Sequence, residues 1–178
     1  MKKVLILSAE SSKGINTDAL SDEFMKGVYH SGNIAEKIFI ASKEIKYCKH
    51  CNICKNSGTC ILNDDMQEIV RKMILSDIIV MATPIFIGTV SARLMALIER
   101  TIQNSSEIKN KGFYFILSCE VTDEVSQNAV REFLERYIGV FEDSEEKATM
   151  VLNLQLKTVE EYSKIAYDMG LNILNAYY

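Results

Sequence analysis

Four of the chain's five cysteines fall between residues 48 and 60, in the stretch Cys48-Lys-His-Cys-Asn-Ile-Cys-Lys-Asn-Ser-Gly-Thr-Cys60, spaced C-x2-C-x2-C-x5-C. Thiols packed this closely in a reducing compartment serve as metal ligands or redox groups more readily than as structural disulfides. A C-x2-C-x2-C run curls the backbone so that Cys48, Cys51 and Cys54 converge on one side, as a [4Fe–4S] cluster requires. The Asn56-Ser57-Gly58 turn can return Cys60 as the fourth ligand. Structural zinc more often uses two C-x2-C pairs a dozen or more residues apart, and a five-residue gap is tight for that arrangement. His50 lies inside the run and would point away from a metal held by its neighbours. Free thiols in a surface loop, without metal, form the third reading.

Two further stretches have chemistry of their own. Ser8-Ala-Glu-Ser-Ser-Lys-Gly-Ile-Asn-Thr17 is rich in hydroxyls and ends where a helix begins. Free backbone N–H groups and the helix dipole favour a phosphate at such a place. Ser11, Ser12, Asn16 and Thr17 add side-chain donors and Lys13 a cation. The plainer alternative is a polar loop in which Asn16 merely caps the helix. The stretch matches neither a Walker A loop nor a G-x-G-x-x-G fingerprint. The second stretch, Thr83-Pro-Ile-Phe-Ile-Gly-Thr89, puts bulky apolar side chains where a strand ends. Something flat must cover them, either an isoalloxazine ring, which Gly88 allows to come close, or a subunit partner. Cys119 reads as a small buried residue. Asp64 and Asp65 read as cap and first-turn charges of a helix, and Arg100 as a helix C-terminal cation or interface residue.

These stretches hang on a strict alternation of strands and helices. Strands are expected at 4–7, 34–40, 77–82, 113–117 and 149–156, the first a continuous apolar run and the second alternating like an edge strand. Helices are expected around Leu20, Phe24 and Val28; Met66, Ile69, Val70, Met73 and Ile74; residues 90–102; Val130, Phe133, Leu134, Tyr137 and Ile138; and Tyr162, Ile165, Ala166, Met169 and Ile173. Residues 143–146 are expected to end the fourth helix. Such alternation means right-handed crossovers and a parallel sheet, whose ligands sit outside the carboxyl ends of the strands. The loops 8–16, 83–89 and 118–124 and the cysteine loop then share one rim.

Composition narrows the function. The chain has 178 residues, 48% of them hydrophobic and 25% charged, with one proline and eight glycines. No linker or repeat interrupts it, so one domain over residues 1–178, with a cysteine-rich loop at 48–63, is expected. A net charge of −4 without basic clusters argues against a nucleic-acid partner. No apolar run reaches the roughly 20 residues of a membrane helix, and the start is too short in apolar residues for a signal peptide. A cytoplasmic protein is expected.

The stretch Thr83-Pro-Ile-Phe-Ile-Gly-Thr-Val-Ser-Ala-Arg-Leu-Met-Ala-Leu-Ile-Glu-Arg100 resembles the signature of the flavodoxin-like NADPH-dependent FMN reductases. Cys48 to Cys60 followed by Asn63-Asp-Asp-Met66 resembles the iron–sulfur flavoprotein branch of that superfamily. The resemblance implies an α/β flavodoxin-like three-layer sandwich with a five-stranded parallel sheet of order 2-1-3-4-5. It also implies FMN in each subunit, NAD(P)H as co-substrate, a small-molecule or protein electron donor and acceptor, and a homodimer or homotetramer. Carried over, the FMN phosphate falls on Ser11, Ser12, Asn16 and Thr17, and the ring on Pro84, Ile85, Phe86, Ile87 and Gly88. The cluster falls on Cys48, Cys51, Cys54 and Cys60. The function implied is a flavoprotein oxidoreductase or electron-transfer protein relaying electrons between flavin and cluster, with no catalytic side chain named. A cluster-free NAD(P)H-dependent FMN or quinone reductase, and a metal- or redox-sensing module without FMN, are the rivals. The chain departs from the family's pattern in its first loop, which lacks an arginine and carries Glu10. It departs again at Leu117-Ser-Cys-Glu-Val-Thr122, where many relatives are glycine-rich.

Overall fold

Val4 and Ile6 face one side of the first strand and Leu5 and Leu7 the other, and all four are buried. A strand buried on both faces needs helices above and below it, and the chain supplies them. The structure, a computed structural model, describes residues 1–119, 124–155 and 157–173. In chain order its elements are β1 (Lys3–Ser8), α1 (Asn16–His30), β2 (Ile34–Phe39), α2 (Ile53–Ser57), α3 (Met66–Leu75), β3 (Ile78–Phe86) and β4 (Thr89–Val90). There follow α4 (Ala92–Thr101), β5 (Gly112–Cys119), α5 (Glu124–Ile138), β6 (Glu145–Asn153) and α6 (Val159–Leu171).

The long strands pair in parallel in the order β2-β1-β3-β5-β6, with β4 folded back antiparallel on the end of β3. This is the expected 2-1-3-4-5 order with one short strand inserted, a flavodoxin-like α/β sandwich. One apolar layer joins Leu5, Leu7, Ile79, Met81, Phe113 and Phe115 to α3, α4 and α5. The other joins Val4, Ile6, Val80, Tyr114 and Ile116 to α1 and α6. β2 lies at the edge, as its alternation predicts.

Several boundaries differ from expectation. β3 does not end at residue 82 but continues to Phe86, because β5 is long enough to pair Pro84 with Ser118. Val90 belongs to the β4 hairpin opposite Ile85, and the helix begins only after Ser91, whose hydroxyl accepts the Leu94 N–H. Glu145 and Glu146 open β6 instead of closing α5, since α5 stops at Ile138 and buried Phe141 turns the chain. Ile165 is an exposed member of α6, not a core residue, and Ile173 is buried just beyond the helix. Leu156, expected to end the last strand, lies outside the described residues. The short helix α2, inside the cysteine run, has no periodic signal in the sequence.

Two helices touch through their backbones. A Cβ placed on Gly170 of α6 would lie 2.0 Å from the carbonyl oxygen of Phe24, and one on Gly27 of α1 would lie 2.1 Å from that of Tyr167. Neither distance is possible for real atoms, so only glycine permits this crossing. Replacing Gly170 with alanine must push α6 off α1. We expect the overpacked variant to lose about 2–3 kcal/mol of stability or more, read as a lower urea midpoint with an unchanged m-value.

Candidate functional site

The carboxyl rim of the sheet collects the loop after β1, the cysteine segment after β2 and the hairpin after β3. The loop after β5 ends the description at Cys119; the expected site loop continues through Glu120, Val121 and Thr122, which lie outside the described residues. Cys119 itself is buried, donates to the Leu152 carbonyl and is held above the usual thiol range, chiefly by burial.

The loop after β1 is organised from within. Asp18, in the first turn of α1, accepts the Ser8 hydroxyl at 2.6 Å and the Gly14 N–H at 2.7 Å. The Lys37 ammonium stands 3.0 Å away. Burial alone would raise the Asp18 pKa, but these bonds and Lys37 hold it below the ordinary value. Glu10 is 3% exposed. Its Oε1 accepts the Ser11 N–H at 2.9 Å and, more weakly, the Ser11 hydroxyl, while Oε2 accepts the Thr17 hydroxyl at 2.9 Å. Asn16 is not the N-cap: that place falls to Ile15, whose carbonyl takes the Asp18 and Ala19 amides. Asn16 sits in the left-handed region at φ 41°, which asparagine tolerates better than most residues. Ser12 is exposed and Asn16 half-buried.

Two buried hydroxyls join this loop to the next. Ser91 Oγ lies 3.1 Å from Thr83 Oγ1 and donates to the Ala9 carbonyl at 3.3 Å. The tie fixes β1's exit, the end of β3 and the start of α4 in one piece. Neither hydroxyl stands out in the sequence, although Ser91 before Ala-Arg-Leu is a recognisable cap.

The hairpin divides the residues expected at the ring into two groups. Pro84 and Ile85 are buried within the sheet, whereas Phe86 and Ile87 are 55% and 102% exposed. Ile87 and Gly88 form the two-residue turn between β3 and β4 with φ 47° and 69°, the primed geometry that hairpins prefer. Asparagine-glycine is the usual pair there. A β-branched residue in that conformation is strained by about 1–3 kcal/mol, and such strain concentrates at ligand clamps. Beside the hairpin lies a cleft of about 490 Å³ walled by Phe86, Tyr47, Lys43 and Arg93.

The cysteine run leaves and returns through a closed neck. Glu44 and Lys46 pair with Asp65 and Asp64 through the Asp65 N–H to Glu44 carbonyl, Glu44 N–H to Asp65 and Lys46 N–H to Asp64 bonds. Arg100 of α4 seals it: Nη1 donates to Asp64 Oδ2 at 2.8 Å and to the Lys46 carbonyl at 2.7 Å, and Nη2 reaches Asp64 Oδ1 at 3.2 Å. Both side chains are within a few per cent of full burial, so Arg100 is the expected cation of α4's last turn, spent inside the chain on Asp64 and Lys46. Asp64 also accepts the Met66 N–H at the start of α3, although the N-cap position itself falls to Asp65, and the acid of the first turn is Glu68 and neither aspartate. The same guanidinium reaches the Cys60 thiol.

Beyond the neck, residues 47–61 contain no buried side chain. His50, Asn52 and Gly58 have positive φ, and the His50 N–H donates to Cys48 Sγ at 3.4 Å. Left-handed residues in a tight run aim backbone N–H groups into a concavity, and N–H to sulfur bonds are a feature of iron–sulfur sites. The donor set therefore fits a cluster. The one trio with ligand atoms within 4.8 Å of each other among the described residues is Cys48, His50 and Glu99, so His50 does not turn away from Cys48. Its Nε2 is 3.0 Å from the Glu99 carboxylate. A single ion needs ligands that close; a cube holds its thiolates farther apart, each on its own corner.

A parallel sheet in this order, with its loops gathered at one rim, defines the flavodoxin-like class of α/β protein. Within that class the match is specific: the model of the NADPH-dependent FMN reductase family covers residues 2–141, and the chain belongs to that family. An iron–sulfur flavoprotein of Archaeoglobus fulgidus is 34% identical over 114 residues, which is 64% of this chain and 51% of the relative. One from Methanosarcina thermophila is 30% identical over 112 residues, 61% of this chain and 59% of the relative. The chain thus matches little more than half the length of these curated relatives. An NAD(P)H:quinone oxidoreductase from Methanothermobacter marburgensis superposes with TM-score 0.82 over 99% of this chain and 98% of its own, at 15% identity, which shows the shared fold. Among the described residues no helix is long and apolar enough to cross a membrane.

The neck sets a testable acid limit. Burial would raise the Asp64 pKa, but bonds from Arg100, Lys46 N–H and Met66 N–H outweigh it and hold the carboxyl below its ordinary value. The stability Asp64 contributes is then complete above its unfolded pKa of about 3.9 and is lost as pH falls through the lower folded value. Asp64→Asn leaves Arg100 buried without its counter-charge. We expect a loss of about 3–5 kcal/mol at pH 7 and a shallower decline of stability below about pH 4, measured by urea unfolding across pH.

Proposed function

We propose that the chain is a flavin-dependent oxidoreductase that moves electrons between FMN on the carboxyl rim and a [4Fe–4S] cluster on Cys48, Cys51, Cys54 and Cys60. The observation that carries this is the meeting on one rim of a strained, solvent-facing hairpin and a cysteine run with no apolar interior of its own. Family membership supports the flavin, and the names of both curated relatives support the cluster. Bound flavin would supply hydride acceptance and one-electron transfer, so no side-chain acid or base is needed.

The residues of this chain do the holding. Phe86, Ile87 and Gly88 offer a planar apolar surface, with Pro84 and Ile85 stiffening it from the sheet. Ser11, Ser12, Asn16 and Thr17 offer donors at the start of α1, suited to the phosphate in type, although Glu10 already holds two of their hydroxyls. The Thr83–Ser91–Ala9 tie keeps the two loops in register. The aromatic and cationic cleft of Phe86, Tyr47, Lys43 and Arg93 suits a planar anionic substrate such as NAD(P)H. The exposed apolar side chains of Phe86 and Ile87 suit a second copy in a homodimer or homotetramer. Free cysteinyl ligands suit a reducing cytoplasm.

Protein purified without oxygen and reconstituted with FMN, iron and sulfide tests the proposal. Flavin bands, broad iron–sulfur absorption and equal amounts of iron and sulfide are expected, and Cys54→Ser should lose the cluster while keeping the flavin. Absence of flavin bands sinks the flavin; absence of iron and sulfide sinks the cluster. The strained turn gives a separate check. Ile87→Asn should stabilise the flavin-free protein by about 1 kcal/mol, because asparagine accepts positive φ, while weakening FMN binding through lost apolar contact. Equal or tighter FMN binding by this variant would remove the hairpin from the site.

A second reading is favoured by the Cys48, His50 and Glu99 trio, which can hold one divalent ion. On this reading the chain is a metal- or redox-sensing module on a flavodoxin-like scaffold, and stoichiometric zinc without flavin after purification would establish it.

A further inference from the structure

The loop proposed above for the flavin phosphate already contains an anion. Glu10 is 3% exposed at the start of a fifteen-residue helix, and its carboxylate takes the Ser11 N–H and the Ser11 and Thr17 hydroxyls. These are the donor types that bind a phosphoester at such a place. Lys37 is committed to Asp18 and Asp22. Lys13 lies over the Phe39 ring, 5.5 Å from its centre. Among the described residues no lysine or arginine pairs with Glu10. A phosphate entering this loop meets a like charge and finds the Ser11 and Thr17 hydroxyls already taken.

We infer that Glu10 is an internal occupant of the phosphate subsite and sets flavin specificity, so that the phosphate adds little to affinity and riboflavin binds nearly as well as FMN. This rests on the flavin reading given above, but the occupied subsite can be tested without flavin. Riboflavin shares the isoalloxazine and the ribityl chain and lacks only the group that Glu10 opposes. Its binding is therefore indifferent to the Glu10 charge, and FMN binding is not.

The test has two arms. Dissociation constants for FMN and riboflavin, from quenching of flavin fluorescence, are compared for the unmodified chain, Glu10→Gln and Glu10→Ser. A charged hydrogen-bonding group is worth roughly tenfold to a hundredfold in affinity. The unmodified chain should prefer FMN by less than about tenfold, and each variant should raise that preference about tenfold to a hundredfold by tightening FMN alone. In the second arm, thermal unfolding is followed in inorganic phosphate against chloride at equal ionic strength. Phosphate should give the unmodified chain no specific shift, and the variants a midpoint that rises with phosphate concentration. A preference for FMN above about a hundredfold in the unmodified chain, or variants with neither a changed ratio nor a phosphate shift, overturns the inference. Should no form bind either flavin, the flavin reading fails and the phosphate arm alone decides the role of Glu10. Glu10→Ser keeps the comparison valid if Glu10→Gln does not fold.

Discussion

The cysteine segment of the rim depends on a guanidinium that has been taken out of water. Arg100 projects from the last turn of α4 and is held by one carboxylate and one carbonyl, both from the segment that carries the cysteines. Burying such a charge is costly unless every direction of its fork is met, and here Asp64 and Lys46 meet it. The arrangement makes a loop with no apolar interior start and finish at a fixed point on a buried helix. Cys60 therefore lies next to a defended positive charge, whatever the intervening residues do. The two ends of the run are positioned by the core, and its middle is left to whatever it binds.

The other rim loops are held by smaller bonds that work the same way. Ser91 and Thr83 tie β1, β3 and α4 together through hydroxyls at 3.1 Å and a carbonyl at 3.3 Å, inside a water-excluded junction where each bond is hard to replace. Asp18 does the equivalent for the loop after β1, gathering a hydroxyl, a backbone N–H and an ammonium. The hairpin is the exception. It stores strain at Ile87 and leaves two large apolar side chains facing outward, Ile87 completely so.

The fold was readable because its signal is redundant. Continuous apolar runs at Val4–Leu7 and around Val80 can only be strands buried on both faces, and the helices between them repeat their apolar residues on schedule. Strand ends were less visible, since β3 is prolonged by a partner distant in sequence, through Pro84 and Ser118. Local pattern cannot report a neighbour that far along the chain. The candidate site divides similarly. Cysteine spacing and the Pro-Ile-Phe-Ile-Gly run announce themselves by composition. The Arg100–Asp64 pair does not, because partners thirty-six positions apart, one in the loop before α3 and one on α4, leave no periodic trace. The inward turn of Glu10 is likewise a matter of rotamer, and a sequence shows only that an acid is present.

The contact of α1 and α6 through Gly27 and Gly170 has a kinetic meaning. With two backbones in van der Waals contact, α1 cannot slide or tilt without dragging α6 and the apolar layer between them and the sheet. The second half of α1 thus shares with α6 any slow, collective movement, of the kind that runs over microseconds to milliseconds.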